Sequence, residues 1–541
     1  MNEMAISITH DVTISGSLFF YSFILITLVC PLRIVFYRLF WNPLAKFPSP
    51  RIAAATYLYE IAFDYFGNRA YLFEIERMHN RYGPIVPVNP TELSIKDGEF
   101  YEKVYVNGNV RRTEALPSFG DGMDFNNSHG MTVDHHQHRQ RRKPLEPFFS
   151  KAGVARFELD LASVVMTLVD RLRGYEGTGC VLRLDHAFAA LAGDIITTMC
   201  IDSPSMTFLG DKDFSRGWYE LFHTLIMSMP VFMNFPWIIR LIRLIPTSIL
   251  RRVDPRSQMF RDWRDMSVAE IKKSLQRKAT GETLTYQRGT IKAPTLFDHL
   301  VNSDLPTSDM SVERLASEAQ VLMGAGTVTT AQSMSHLVVN VLLQPDVEKR
   351  LRGEFAVLMK QLGEASIPPA RELEKLPYLQ ACVKEGLRLS HGLMHRLPRV
   401  SPDVALKFKG WTIPPGTPVG MSAYFMHIDE TVYEKPREFL PERWLGDIDP
   451  RMERNYVPFS RGSRRCLAPN LAYTKISMVM AALLSPWSPE IRLHDTNMSD
   501  VDPVCAFLLP LPRLDSKGVR VVVTTSKEKL VTNLRKGTAQ R

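Results

Sequence analysis

The most constraining stretch of this chain lies near its C-terminus and reads Phe459-Ser460-Arg461-Gly462-Ser463-Arg464-Arg465-Cys466-Leu467-Ala468-Pro469-Asn470-Leu471-Ala472. A lone cysteine follows a Gly/Ser/Arg loop and sits at the start of an apolar helical pattern. Free amide N–H groups and the positive end of a helix dipole favour negative charge at such a place, and flanking arginines lower a thiol pKa further. Pro469 suits the first helical turn, where an N–H has no intrahelical acceptor. Gly462 permits a positive φ and a close approach to something flat. A thiolate presented this way serves as a nucleophile, as one ligand of a metal cluster, or as the axial ligand of a haem.

Composition removes several classes. The six cysteines (Cys30, Cys180, Cys200, Cys382, Cys466, Cys505) are far apart and form no C-x-x-C pair, which excludes a disulfide framework and a zinc site. The globular part is therefore expected in a reducing compartment. A net charge of +9 points to an anionic membrane surface or an acidic protein partner. The basic residues are dispersed and no nucleic-acid module is present, so no nucleic-acid partner is expected.

From Val12 to Leu32 there are 21 residues without a charge, matching the roughly 20 that span a bilayer as a helix. Glu3 and Asp11 precede the run, while Arg33, Arg38, Lys46 and Arg51 follow it. That bias places everything downstream in the cytosol. A cleaved signal peptide is disfavoured by the absent basic n-region and the lack of a small-residue cleavage site. The expected layout is a lumenal N-terminus (1–11), a transmembrane anchor (12–36), a proline-rich hinge (37–50), a catalytic domain (51–525) and a basic tail (526–541). Short strands are expected at Tyr82–Val88, with Pro87 confining the first to a sheet edge or bulge, at Glu92–Ile95 and at Gly518–Val523. Most of the rest is helical in period, so the fold class is mainly α with small β-sheets. Met227–Leu250 is apolar, is punctuated by arginines, and is broken by Pro230, Pro236 and Pro246; it reads either as core or as a contact dipping into lipid headgroups. Lys278–Pro294 reads as a surface loop.

Ser311 with Glu313 starts a helix that Pro345 ends, about 34 residues and roughly 50 Å long. Leu315, Ala319, Leu322, Gly326, Thr329 and Ser333 share one face of it. Gly324 and Gly326 each cost about 1 kcal/mol relative to alanine there, so something flat or small must press on the helix. Thr329 and Thr330 carry hydroxyls able to bond a backbone carbonyl and bend it. A second helix, opening at Pro377, presents Glu385 and Arg388 at i,i+3. E-x-x-R alone carries little weight, since it recurs at Glu74/Arg77 and Glu434/Arg437. Here Leu397-Pro398-Arg399-Val400, then Pro441-Glu442-Arg443-Trp444, then the cysteine loop follow it. A buried Glu–Arg pair needs further hydrogen bonds, and Arg443 is the natural third member.

In that order, the Gly/Thr-rich long helix, E-x-x-R, P-E-R-W and F-x-x-G-x-R-x-C resemble a cytochrome P-450, a haem-thiolate monooxygenase. The resemblance is to the microsomal type of fungal secondary metabolism and covers almost the whole chain. It implies haem b, with Cys466 as the axial iron ligand in a loop that includes Phe459 and Gly462. It further implies Arg464, Arg399, His138 and Arg142 on the propionates, and Glu385, Arg388 and Arg443 as the triad bracing the loop. Ala325, Gly326 and Thr329 align with the oxygen-binding kink, Thr329 being the proton-relay hydroxyl. The His135-His136-Gln137-His138 run and the basic Arg139–Lys143 run then read as a solvated basic face for docking an electron donor, not as a metal site or nuclear signal.

Two departures stand out. Val328 occupies the place of the family's usual acid before the threonine, and Ala468 that of a glycine. The resemblance implies oxidation of a lipophilic small molecule, of terpenoid or polyketide-like character, with O2 and NADPH electrons. These would come from a separate NADPH–cytochrome reductase, with a cytochrome b-type donor as alternative, because the chain has no Rossmann glycine fingerprint. Reductase docking is expected around Arg461, Arg465 and Lys143, at the endoplasmic reticulum membrane. Val328 also admits a same-fold isomerase or dehydratase, and a non-catalytic haem protein is the third class. Pocket walls are expected from Phe119–Phe125, Met323 and Ala325, Leu393–Leu397 and Ala506–Leu509.

Overall fold

The computed structural model describes residues 21–22, 25–66, 70–121, 125, 127–201, 207–253, 255–281, 294–363 and 366–525. One helix, Val312–Leu343, runs 32 residues through the interior, or about 48 Å. Ser311 caps it by accepting the Arg314 N–H at 3.3 Å, and Pro345 opens the next helix, Pro345–Leu362. Around this spine pack the helices Leu184–Cys200, Pro255–Thr280, Pro377–Leu389 and Pro469–Leu484, and Glu158–Arg173 packs in turn on Leu184–Cys200 and Pro469–Leu484. Their inward side chains form the larger of the apolar cores.

The glycines of the long helix explain its closest crossings. A Cβ on Gly326 would lie 3.0 Å from Ile196 of the helix Leu184–Cys200, and one on Gly324 would lie 3.1 Å from Phe222 and 3.3 Å from Trp263. The flat or small objects pressing on this helix are thus its own neighbours' side chains.

The sheets are small. Five strands lie in the order Ile85–Asn89, Glu92–Ile95, Pro418–Gly420, Arg399–Val400, Glu114–Ala115. All pairs are antiparallel except Glu92–Ile95 with Pro418–Gly420. Pro87 lies on the edge strand, and the register slips between Pro87 and Asn89, as a residue without an N–H requires. The Tyr71 hydroxyl donates to the Val88 carbonyl on that strand. A second apolar core packs behind this sheet. The C-terminal strand, Arg520–Thr524, pairs with Glu490–Leu493 and Leu182–Arg183. The architecture is mainly α with small sheets.

Most of the uncharged Val12–Leu32 run lies outside the described residues, as do most of Lys278–Pro294 and the tail beyond Thr525. Lys278, Ala279 and Thr280 belong to the end of the helix Pro255–Thr280. Among the described residues no helix is long and apolar enough to cross a membrane. In the Met227–Leu250 region, Pro230 sits inside the helix Arg216–Asn234, while Pro236 and Pro246 separate it from Trp237–Leu244 and Thr247–Val253. Trp237 (55 %), Leu241 (51 %) and Leu244 (79 %) are exposed, so this helix is not core.

Filling the Gly326 crossing should be costly. Gly326→Val forces branched methyls against Ile196 and is expected to lower stability by about 1–3 kcal/mol. Adding Ile196→Ala should make the double variant lose less than the sum of the singles, read from urea midpoints; strict additivity would refute the contact.

Candidate functional site

Cys466 is held by backbone. Its N–H donates to the Phe459 carbonyl at 2.8 Å, Arg465 N–H to Gly462 O at 3.2 Å, and Ser463 N–H to Val106 O at 3.1 Å. Gly462 has φ +75°, and a Cβ there would meet the Val106 carbonyl at 2.4 Å. Only glycine combines that conformation with that approach. The helix Pro469–Leu484 starts three residues after the cysteine, and Ala468 N–H donates to Cys466 Sγ at 3.5 Å. Ala468 therefore contributes through its backbone, at a φ of −119° that any residue adopts.

Cys466 keeps accessible surface while protein surrounds its thiol, as a residue lining an internal hollow does. Burial pushes its thiol pKa up, and the Ala468 N–H, Arg142, Lys475 and Arg465 pull it back without prevailing. The arginines beside the loop thus do not make a thiolate by themselves; a cation bound to the sulfur would.

Across the hollow stands the middle of the long helix. Ala325 is exposed there although Met323, Gly324 and Thr327 are buried. Thr329 Oγ1 donates to the Ala325 carbonyl at 2.8 Å, and Thr327 Oγ1 to the Met323 carbonyl at 2.8 Å. Gly326 contributes its carbonyl, which accepts from Lys475 Nζ at 2.9 Å, while its Cα faces Ile196. Val328 packs on an apolar cluster of Ile226, Cys505, Phe507, Leu509 and Leu511, joined by Met227 and Leu393. Phe119 packs against His395; residues 122–124 lie outside the described ones. A cavity of about 270 Å³ adjoins the same helix at Thr327, Val328 and Ala331, between Tyr219 and Arg513, and shares Ile226 and Leu511 with the apolar cluster.

Basic side chains converge beside the loop. Arg464 donates to the carbonyls of Thr132 and Val133, each at 2.6 Å, and its Nε is buried without a partner. Burial, then Arg399, pulls it down to about 9, against Glu114 and Asp134. Arg399 donates to the Leu397 and Pro398 carbonyls and lies over the Tyr105 ring, and burial lowers its pKa as well. His138 sits on the helix His135–Arg142, capped by Asp134. Its Nδ1 is an orphan, and burial with Arg464, His129, Arg142 and Arg399 holds the ring down to about 2. Arg142 differs: its Nε binds Glu146 at 2.9 Å and its Nη1 the Arg465 carbonyl at 2.8 Å. Such a cluster, with two orphaned polar atoms, fits a dianionic group between these side chains. Haem, carrying two carboxylates and an iron that takes a cysteine sulfur, fits the donor set. Arg461 binds Glu102 and the Glu453 and Arg454 carbonyls, so it is committed to holding the loop.

Glu385 and Arg388 both have 0 % side-chain exposure, whereas Arg77 of the Glu74 pair is 70 % exposed. Glu385 accepts two bonds from Arg388 at 2.7 and 2.8 Å, one from Arg443 at 3.0 Å, one from Trp444 Nε1 at 2.8 Å and one from Leu440 N–H at 3.1 Å. Those donors hold its carboxyl below the usual range against burial. Arg388 then donates to the carbonyls of His427 at 2.7 Å and Pro436 at 2.5 Å. His427 Nε2 accepts the Val457 N–H at 3.0 Å, and the Val457 carbonyl accepts from Ser460 N–H at 3.0 Å. The ion pair is thereby wired to the cysteine loop. Trp444, His427 and Lys475 were not singled out by sequence reasoning. Only Lys475 carried a signal, as one cation inside an apolar helical run.

The family model described as Cytochrome P450 matches residues 59–516. The chain is 88 % identical over 526 residues to the fusicoccadiene C-8 hydroxylase of Alternaria brassicicola, covering 97 % of this chain and 100 % of that one. It is 62 % identical over 489 residues to the fusicoccadiene C-8 hydroxylase of Phomopsis amygdali, covering 90 % and 93 %. It is 49 % identical over 492 residues to the cytochrome P450 monooxygenase oblB of Emericella variicolor, covering 90 % of each.

Two stability predictions follow the wiring. Glu385→Ala leaves Arg388 buried and unpaired, and should cost about 3–5 kcal/mol, read as a lowered denaturant midpoint; a change below about 1 kcal/mol would contradict the network. His427 must stay neutral at Nε2, and burial, then Arg388, depresses it from 6.5 to about 3. The unfolded chain takes up a proton below pH 6.5 that the folded site refuses, so this contribution is full above 6.5 and falls away toward pH 3. His427→Gln should flatten the stability–pH slope in that window by about 1.4 kcal/mol per pH unit.

Proposed function

Because this chain belongs to the cytochrome P450 family and is a haem-iron monooxygenase, we propose that it hydroxylates fusicoccadiene at C-8. The observation that carries the reading is the 88 % identity, over 97 % of the chain, to a hydroxylase of that name. The apolar cluster of Ile226, Met227, Val328, Leu393, Phe507 and Leu509 supports a lipophilic substrate. A carboxylate at 328 would be desolvated among these side chains at a cost of several kcal/mol. This supports Val328 as a shaping residue and leaves proton handling to Thr329 and water.

Bound haem supplies the oxygen activation. Cys466 would supply the sulfur that holds its iron, with Phe459 and Gly462 fixing the sulfur's loop. Arg464, Arg399 and His138 would hold its propionates, and Arg142 would support them through the Arg465 carbonyl. Glu385, Arg388 and Arg443 keep the loop from moving. The Thr329 hydroxyl rests its proton on the Ala325 carbonyl, which leaves its oxygen lone pairs to accept from water; turning the O–H about Cβ–Oγ would deliver that proton into the hollow as the oxygen takes a replacement from water.

The layout that goes with this reading has residues 1–11 lumenal, an anchor at 12–36, a hinge at 37–50, the catalytic domain at 51–525 and a basic tail. It places the enzyme on the cytosolic side of the endoplasmic reticulum, receiving NADPH electrons from a separate reductase. The uncharged Val12–Leu32 run and the exposed apolar residues of Trp237–Leu244 support contact with lipid.

Co-expression with a fungal reductase and feeding of fusicoccadiene should give a product with one added oxygen by mass spectrometry; an unmodified substrate would overturn the substrate assignment. Cys466→Ser should abolish the thiolate-type carbon-monoxide difference spectrum. Thr329→Ala should keep NADPH consumption while product per NADPH drops roughly tenfold or more.

A further inference from the structure

Lys475 is among the largest side chains with almost no exposure, at 1 %. It sits in the helix that begins just after Cys466, flanked by buried Leu471, Ile476, Ser477 and Met478. Desolvating an ammonium costs several kcal/mol unless it is paired, yet no carboxylate among the described residues lies within ion-pair distance of it. Among the described residues its hydrogen bond is to the Gly326 carbonyl, at 2.9 Å. That carbonyl belongs to the long helix one residue after Ala325 and three before Thr329. One side chain therefore spans from the cysteine's helix to the opposite wall of the site.

Burial draws the Lys475 ammonium down to about 7, and the sulfurs of Cys466 and Cys200 are the groups that draw it back up. The influence is mutual, since Lys475 lowers the Cys466 thiol. A neutral aliphatic residue would avoid the desolvation and fill the same volume. The electrostatic counterparts of a buried cation here are the two sulfurs, of which Cys466 is the one that carries negative charge when it ligates a metal.

We propose that Lys475 is a positioning residue for both walls of the site: its ammonium fixes the Gly326 carbonyl, and with it the Ala325–Thr329 segment, while placing a buried positive charge within reach of the Cys466 thiolate. The charge offsets part of the sulfur's electron donation and favours the more reduced, more negative state of a bound haem. The hydrogen bond holds the Thr329 turn in register with that haem. The inference rests on Cys466 being the thiolate ligand.

The test uses the full chain loaded with haem. Lys475→Met removes charge and donor at similar length, whereas Lys475→Gln removes the charge and keeps a donor. Both should shift the reduction potential, read by spectroelectrochemical titration, to more negative values. Only Lys475→Met should also lose product per NADPH several-fold, with a smaller change in KM than in kcat. If Lys475→Met does not take up haem, the potential is read on Lys475→Gln and on Lys475→Arg, the latter expected near the native value. Native potentials in the charge-removing variants overturn the proposal. A native protein lacking the thiolate-type carbon-monoxide spectrum would instead overturn the ligand assignment on which it rests.

Discussion

Glu385 is a carboxylate with no exposed surface, surrounded by five donated hydrogen bonds from Arg388, Arg443, Trp444 and the Leu440 backbone. Coulomb attraction alone rarely offsets the desolvation of such a pair. Saturating every lone pair does, and it converts a liability into a rigid junction. Because Arg388 also binds the carbonyls of His427 and Pro436, the junction fixes the chain on its way to Cys466. The sulfur's position is set by that polar centre and by Gly462 against Val106, not by the apolar packing around it.

Local signals made some elements legible and left others hidden. The long helix was readable because Ser311 caps it and Pro345 ends it, and the edge position of Pro87 because proline lacks a donor. The cysteine loop was readable because few chemistries need that loop at a helix start. The Glu385–Arg388 pair was not, by itself: the same spacing at Glu74 and Arg77 makes a solvated pair, and only the order of later motifs separated the two. Roles that depend on neighbours in space gave no sequence period to detect. Trp444 as a donor to Glu385 and His427 as an acceptor from Val457 are of this kind. Gly326 predicts something flat or small against the helix, and the object is Ile196; a crossing helix and a cofactor demand the same missing methyl.

Electrostatics in the site oppose the charges that the site collects. Burial raises the Cys466 thiol and depresses His138, Arg399 and Arg464, so each group is held in its less comfortable state. Sulfur and guanidinium groups become mutually consistent once an anion lies among the basic residues and a metal on the sulfur. The protein thus holds complementary charge in advance of binding. That is preorganisation in its electrostatic form.

The edge strand Ile85–Asn89 has a consequence beyond the site. An open sheet edge is a template on which a second chain can add a strand. Here Pro87 has no N–H to offer, the register slips beside it, and the Tyr71 hydroxyl already occupies the Val88 carbonyl. The sheet therefore ends in a strand that cannot be extended. That closes one of the easier routes from encounter to aggregation.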